Sequence, residues 1–149
     1  MMRRSSAHSR GDESKLVLDA WPVVEWLKNE PPFAQRAQDI FQRAEDGRLL
    51  LLMSRLNLGE VYYSAARRWG LAQAEVLLGK LGRLPITIVP VSDELVMAAA
   101  RLKAAHTISY ADCFAVALAQ REEAPLVTGD AELRDLATAG VLRVKWFGA

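Results

Sequence analysis

Four short apolar runs, each followed by a stretch with helical spacing, limit what this chain can fold into. They read KLVLD (Lys15–Asp19), LLLLM (Leu49–Met53), ITIV (Ile86–Val89) and the shorter Leu126–Val127. The first two are apolar almost without interruption, as strands covered on both faces are. A helix is predicted after the first run, with Pro22 in its first turn, where the missing N–H costs little. Pro31-Pro32 breaks the chain, and Phe33–Glu45 resumes helical spacing. Ser54 caps a helix that runs to about Trp69, and Gly70 stops it. Further helices are expected over Leu71–Leu84, from Ser92 through Leu102, over Ser109–Arg121 and over Asp130–Ala139. Val141–Trp146 reads as a last strand. Strands that alternate with helices imply an α/β fold, with a twisted, mostly parallel sheet of about four or five strands flanked by helices.

The chain has 149 residues, 51% of them hydrophobic, enough for one substantial core. We expect one domain over residues 15–149, preceded by a polar, flexible leader over residues 1–14 that has no apolar segment of a signal peptide. Cys113 is the sole cysteine, so no intrachain disulfide can form and secretion gains no support. Its apolar surroundings mark it as core. No apolar stretch reaches membrane-spanning length. The expected setting is therefore cytoplasmic, away from any membrane. Nineteen Lys and Arg stand against 18 Asp and Glu, so global charge does not announce a nucleic-acid binder. Attraction to a polyanion would have to come from local patches or bound cations.

Four acids carry the chemistry. Asp19 ends the first strand, where open parallel sheets place their ligand crevices; it is equally placed to cap the helix at Pro22. Glu60, in SRLNLGEVYY, shares a helix face with Leu56 and Tyr63. A carboxylate on an apolar stripe needs a partner, unless it snorkels at the stripe margin. Gly59 beside it removes bulk and leaves room for a close approach. Asp112, in SYADCFAVALAQ, fits a capping box with Ser109, yet the helix behind it is apolar nearly all round and opens at an internal edge. Asp130, in PLVTGDAEL, again follows a strand and starts a helix, and Gly129 is read as permitting the tight turn. Each acid alone is matched by a capping or solvation role, and their repetition is what points to a site. Four gathered carboxylates repel, and a hard divalent cation relieves that repulsion. Oxygen-only donors favour Mg²⁺ or Mn²⁺ over Zn²⁺, and His8 and His106 have no companions for a zinc site.

VLDAWPVVEWL, LGEVYY, SYADCFAVALAQ and PLVTGDAEL, in that order and spacing, resemble the PIN-domain family, in particular the VapC toxins of toxin–antitoxin pairs. The resemblance covers about Lys15 to Trp146 and maps the family's four acidic positions onto Asp19, Glu60, Asp112 and Asp130. Thr128 matches a hydroxylated position that supports the site. The resemblance implies a three-layer PIN-like fold and cleavage of single-stranded RNA with one or two Mg²⁺ or Mn²⁺ ions, leaving 5′-phosphate and 3′-hydroxyl ends. It also implies a homodimer and a small VapB-like antitoxin lying across the acidic pocket. Asp19, Asp112 and Asp130 are the expected metal ligands, with Glu60 acting through water or orienting the nucleophile. The alternative is a PIN scaffold that binds protein or RNA with its acids idle. Cations should rim an acidic pocket that receives RNA. Arg55, His106, Arg67, Arg68 and Lys103 are candidates, although most such charges only solvate a helix face.

Overall fold

The computed structural model describes residues 14–147, so all of the expected leader but Ser14 lies outside the described residues. Five strands, β1 (Lys15–Leu18), β2 (Leu50–Ser54), β3 (Ile86–Val89), β4 (Leu126–Thr128) and β5 (Val144–Trp146), form one sheet. Every pairing is parallel, and the spatial order is β3-β2-β1-β4-β5. From central β1 the chain steps outward to β2 and β3, then crosses to the other side for β4 and β5. The direction of winding therefore reverses between β1 and β4, and the crevice of such a sheet opens at the carboxyl ends of those two strands.

Helices cover both faces. They are α1 (Ala20–Lys28), α2 (Phe33–Glu45), α3 (Arg55–Trp69), α4 (Leu71–Leu81), α5 (Asp93–Ala105), α6 (Tyr110–Glu122) and the short α7 (Arg134–Thr138). The alternation of strand side chains sorts the core into two layers. Val17, Leu52 and Leu126 pack with Leu95 of α5 and with Phe114 and Leu118 of α6. Leu16, Leu18, Leu51, Met53 and Val127 pack with Val23 of α1, Phe41 of α2 and Val61 of α3. Two buried faces are the reason these runs carry so few polar residues. In α6 every residue from Asp112 to Ala119 is buried, Cys113 among them. Its alanines at 115, 117 and 119 let neighbouring elements approach its backbone.

Besides shifts at other element ends, three segments depart from the expectation for a clear physical reason. The helix from Leu71 ends at Leu81, not Leu84, because Gly82 caps it and Pro85 disfavours helical backbone at Leu84. The segment Asp130–Ala139 is not one helix. A 3₁₀ turn over Ala131–Leu133 leads into α7. The last strand begins at Val144, because the Val141 N–H bonds back to Leu136 O around Gly140, whose φ is +79°. The apolar Val141 and Leu142 then face the core without joining the sheet.

Leu118 is fully buried at the centre of the α6 layer. Leu118→Ala is expected to destabilise the fold by about 2–5 kcal/mol, read as a lower urea midpoint at unchanged slope. A midpoint equal to that of the wild type would contradict this packing.

Candidate active site

The carboxyl ends of β1 and β4 deliver the first two acids. Asp19 follows β1, is 3% exposed, and caps α1 by accepting the Trp21 N–H on Oδ1 at 3.0 Å. That bond takes one lone pair of the carboxylate and the Thr128 hydroxyl bonds to it as well, leaving further acceptor capacity. At the end of β4, the buried Thr128 hydroxyl accepts the Asp130 N–H at 3.0 Å. Asp130 in turn accepts the Glu132 N–H at 2.9 Å and caps the 3₁₀ turn. The cap and site readings of Asp19 and Asp130 are thus compatible, because each cap bond occupies one oxygen.

The other two acids come from α3 and α6. Ser109 caps α6 by accepting the Asp112 N–H at 3.1 Å, which puts the buried Asp112 in the first turn. Glu60 is held by Asn57, whose Nδ2 donates to Glu60 Oε1 at 3.3 Å and to Ala111 O at 3.1 Å. Asn57 is itself fully buried. Its N–H donates to the capping Ser54 Oγ, and Ser54 Oγ–H donates to Asn57 Oδ1 at 2.7 Å. One amide therefore ties the helix bearing Glu60 to the start of the helix bearing Asp112.

All four acids line one pocket of about 270 Å³, together with Trp21, Val24, Glu25, Lys28, Ser64 and Arg68. Carboxylate oxygens of Asp112, Asp130 and Glu132 lie within 4.8 Å of one another. Asp19 and Glu60 line the same pocket but stand outside this trio. Burial pushes the Asp19 carboxyl up to about 8. Hydrogen bonds with Thr128 and Trp21 act in the opposite direction, and the charges of Asp112 and Glu60 raise it again. Burial likewise raises Asp112 to about 6, reinforced by Asp130, Glu60 and Glu132 and opposed by Ser109. Glu60 is raised by burial and by Asp130, against the Asn57 hydrogen bond. Carboxyls held above their ordinary range by burial and mutual repulsion, with oxygen donors only, fit a hard divalent cation. Asp112, Asp130 and Glu132 would hold it, with Asp19 and Glu60 alongside.

Three participants escaped the sequence reading. Glu132 lies two residues past Asp130, and that Asp-Ala-Glu spacing at a helix start was its only signal. Asn57 lies one helical turn before Glu60 and reads there as an ordinary polar helix residue. Lys28 sits at the end of α1, where a cation suits the helix dipole anyway. Of the expected rim cations only Arg68 lines the pocket. Lys103 instead donates to Ile108 O, and Arg67 stacks over Tyr63. Gly129 also needs a different explanation. It is not among the positive-φ glycines. A Cβ at that position would come within 2.6 Å of the Trp21 ring, so glycine is required by that close approach. Phe33 and Phe147 hold the ring edge-on at 5.1 and 5.8 Å. At Gly59 a Cβ would meet no atom of the described residues within 4 Å, so none of them uses the room expected there.

The model of the PIN domain matches residues 16–139. Among solved structures, the chain is similar to VapC20 from Mycobacterium tuberculosis, a toxin that cleaves the sarcin–ricin loop. The TM-score is 0.68 at 16% identity, covering 87% of this chain and 98% of that one. VapBC2 from Rickettsia felis, bound to a DNA fragment from its promoter, gives 0.66 at 16% identity, with 89% and 98% covered. VapBC-5 from Mycobacterium tuberculosis, a member of the VapBC family of toxin–antitoxin systems, gives 0.54 at 17% identity, with 89% and 97% covered. At such identities the likeness is one of fold. Comparison with curated protein sequences returns no match.

Two outcomes are expected from this geometry. Between pH 3.8 and about 8 the folded protein keeps a proton on Asp19 that the unfolded chain has lost. The metal-free protein should therefore lose stability as pH rises through that window. Asp19→Asn keeps a cap acceptor and removes the ionisation. In EDTA it should melt above the wild type at pH 8, by on the order of a few kcal/mol, with the gap closing toward pH 4. A gap independent of pH would contradict the raised carboxyl. Gly129→Ala should cost about 1–3 kcal/mol by forcing the boxed Trp21 ring aside; an unchanged melting temperature would show that the ring yields freely.

Proposed function

The chain belongs to the PIN domain family, its matched residues 16–139 spanning all four acids, and on that premise we propose that it is a divalent-metal-dependent endoribonuclease of the VapC toxin type. The observation that carries this reading is the convergence of Asp19, Glu60, Asp112 and Asp130 on one pocket, where burial raises the carboxyls of Asp19, Glu60 and Asp112. Acids that only capped helices would have no reason to share a pocket at such electrostatic cost.

Mg²⁺ or Mn²⁺, when bound, supplies positive charge against the phosphate and acidifies water toward neutral pH. Asp112 and Asp130 would hold the cation with Glu132, whose carboxylate oxygen lies within 4.8 Å of theirs, and Asp19 would join them from the same pocket. The Thr128 hydroxyl, buried between Asp19 and the Asp130 backbone, sets the orientation of both strand-end acids. Glu60 is steadied by Asn57 on the facing wall. It orients the attacking water and takes its proton as the oxygen adds to phosphorus. In-line attack breaks the bond to the 3′ oxygen, which takes a proton from solvent water, and leaves a 5′-phosphate and a 3′-hydroxyl. Pre-placed acids avoid reorganisation during the reaction.

The VapBC folds that this chain resembles support a small VapB-like antitoxin as its partner. A homodimer is part of the same proposal. Helix α4 leaves Leu71 and Val76 69% and 64% exposed, apolar surface of the kind that a partner covers. Among the described residues no helix is long and apolar enough to cross a membrane, which agrees with the proposed cytoplasmic setting.

Single-stranded RNA incubated with the purified protein and Mn²⁺ or Mg²⁺ should be cut, and EDTA should stop the reaction. Asp19→Asn and Asp130→Asn should each lower the rate at least about 100-fold while remaining folded. Calorimetry should show Mn²⁺ binding that weakens in Asp112→Asn and Asp130→Asn. Full activity in a folded Asp19→Asn would remove that residue from the mechanism. Absence of both cleavage and Mn²⁺ binding would instead favour a scaffold with idle acids.

A further inference from the structure

The pocket that holds Asp19, Glu60, Asp112 and Asp130 is also lined by two cations, Lys28 and Arg68, from the last turns of α1 and α3. The arrangement follows from helical spacing. Glu60, Ser64 and Arg68 fall at four-residue intervals on α3, and all three line the pocket. Arg68 is thus displaced from Glu60 by about 12 Å along the helix axis. On α1 the pocket-lining residues Trp21, Val24, Glu25 and Lys28 form the matching stripe, from the Asp19 cap to the last turn. Two packed helices therefore carry cations to the same pocket.

Lys28 is held in place. Its Nζ lies 2.8 Å from Glu25 Oε2, and the two side chains are only 23% and 12% exposed. An ammonium has three N–H donors, and Glu25 takes one of them. The remaining donors are free for a ligand in the pocket. Arg68 makes no ion pair with a described residue, and its guanidinium rests 5.8 Å from the Trp69 ring. An exposed guanidinium without an ion pair among the described residues, lining the same pocket as an ordered ammonium, is a suitable receptor for a phosphodiester oxygen pair.

We propose that Lys28 and Arg68 form a phosphate-binding subsite that grips a non-scissile phosphate of the RNA strand. The acids of the pocket repel a polyanion and admit one phosphate only where a cation shields it. Lys28 and Arg68 attract the neighbouring backbone and fix the direction in which the strand enters. Glu25 acts through Lys28, as a positioning residue. The subsite rests on the ribonuclease reading above, and it adds residues that hold substrate without holding metal.

The test uses the full chain and a short single-stranded RNA. For Lys28→Gln and Arg68→Gln, KM should rise about tenfold each, with a much smaller change in kcat. The salt dependence of RNA binding, measured in Ca²⁺ without cleavage, should lose a slope of about one per residue. Lys28→Arg should recover most of the KM. Because Lys28→Gln also unmasks Glu25, the double variant Glu25→Gln/Lys28→Gln serves as the neutral control, and its KM should stay high. Substituting a neutral methylphosphonate at single linkages should locate one non-scissile position that weakens the wild type and has little effect on Lys28→Gln/Arg68→Gln. Mn²⁺ affinity by calorimetry should hold in Glu25→Gln/Lys28→Gln. Unchanged KM and salt slope in folded variants that still bind Mn²⁺ and cleave would overturn the subsite alone. A wild type that neither binds Mn²⁺ nor cleaves RNA would overturn the subsite and the ribonuclease reading together.

Discussion

An ionisable carboxyl nearly sealed from water is the most demanding group in this protein, and it lies where the winding of the sheet reverses. β1 and β4 are neighbours in space but far apart in sequence, and their parallel pairing brings Asp19 beside the Thr128–Asp130 turn. The helices behind them exclude water from that junction. Neutralising Asp19 by protonation is one way to lower the cost of its burial, and a cation is the other. The raised carboxyl values at Asp19 and Asp112 are the electrostatic signature of that choice.

Much of the frame around this junction was legible beforehand. The uninterrupted apolar runs were buried strands, because both faces of the sheet carry helices, and Asp19 and Asp130 stood where strands stop. What could not be read was whether each acid capped a helix or faced a cavity. The structure shows why the alternative was undecidable from residues alone. Asp19 and Asp130 each cap a helix start and also line the pocket. Glu60 and Asp112 depended on how α3 meets α6, and that contact is made by Asn57, whose function exists only after both helices are packed. Gly129 shows the same limitation. Its constraint comes from the Trp21 ring, a neighbour more than one hundred positions away in sequence, and not from its own backbone angle.

The boundaries that shifted were those set by local termination. Leu84 has helical spacing with the residues before it, yet Gly82 and Pro85 end the helix first. Val141 and Leu142 are apolar because they pack beneath α6 and α7, and apolar character alone could not distinguish that from pairing in the sheet. The cations followed a similar rule. Lys28 drew no attention in the sequence and Arg68 was one arginine among several, and only the packing of α1 against α3 brings both to the pocket.

Protonated, buried carboxyls are expected to give up their protons to a divalent ion. Titrating Mn²⁺ into the metal-free protein at pH 7, in buffers of different ionisation enthalpy, counts the protons released on binding. With Asp19 raised to about 8, the expected result is close to one proton per bound ion, falling toward zero in Asp19→Asn. Binding with no proton release in the wild type would show that Asp19 is already ionised, and binding too weak to detect would show that the pocket does not require a cation.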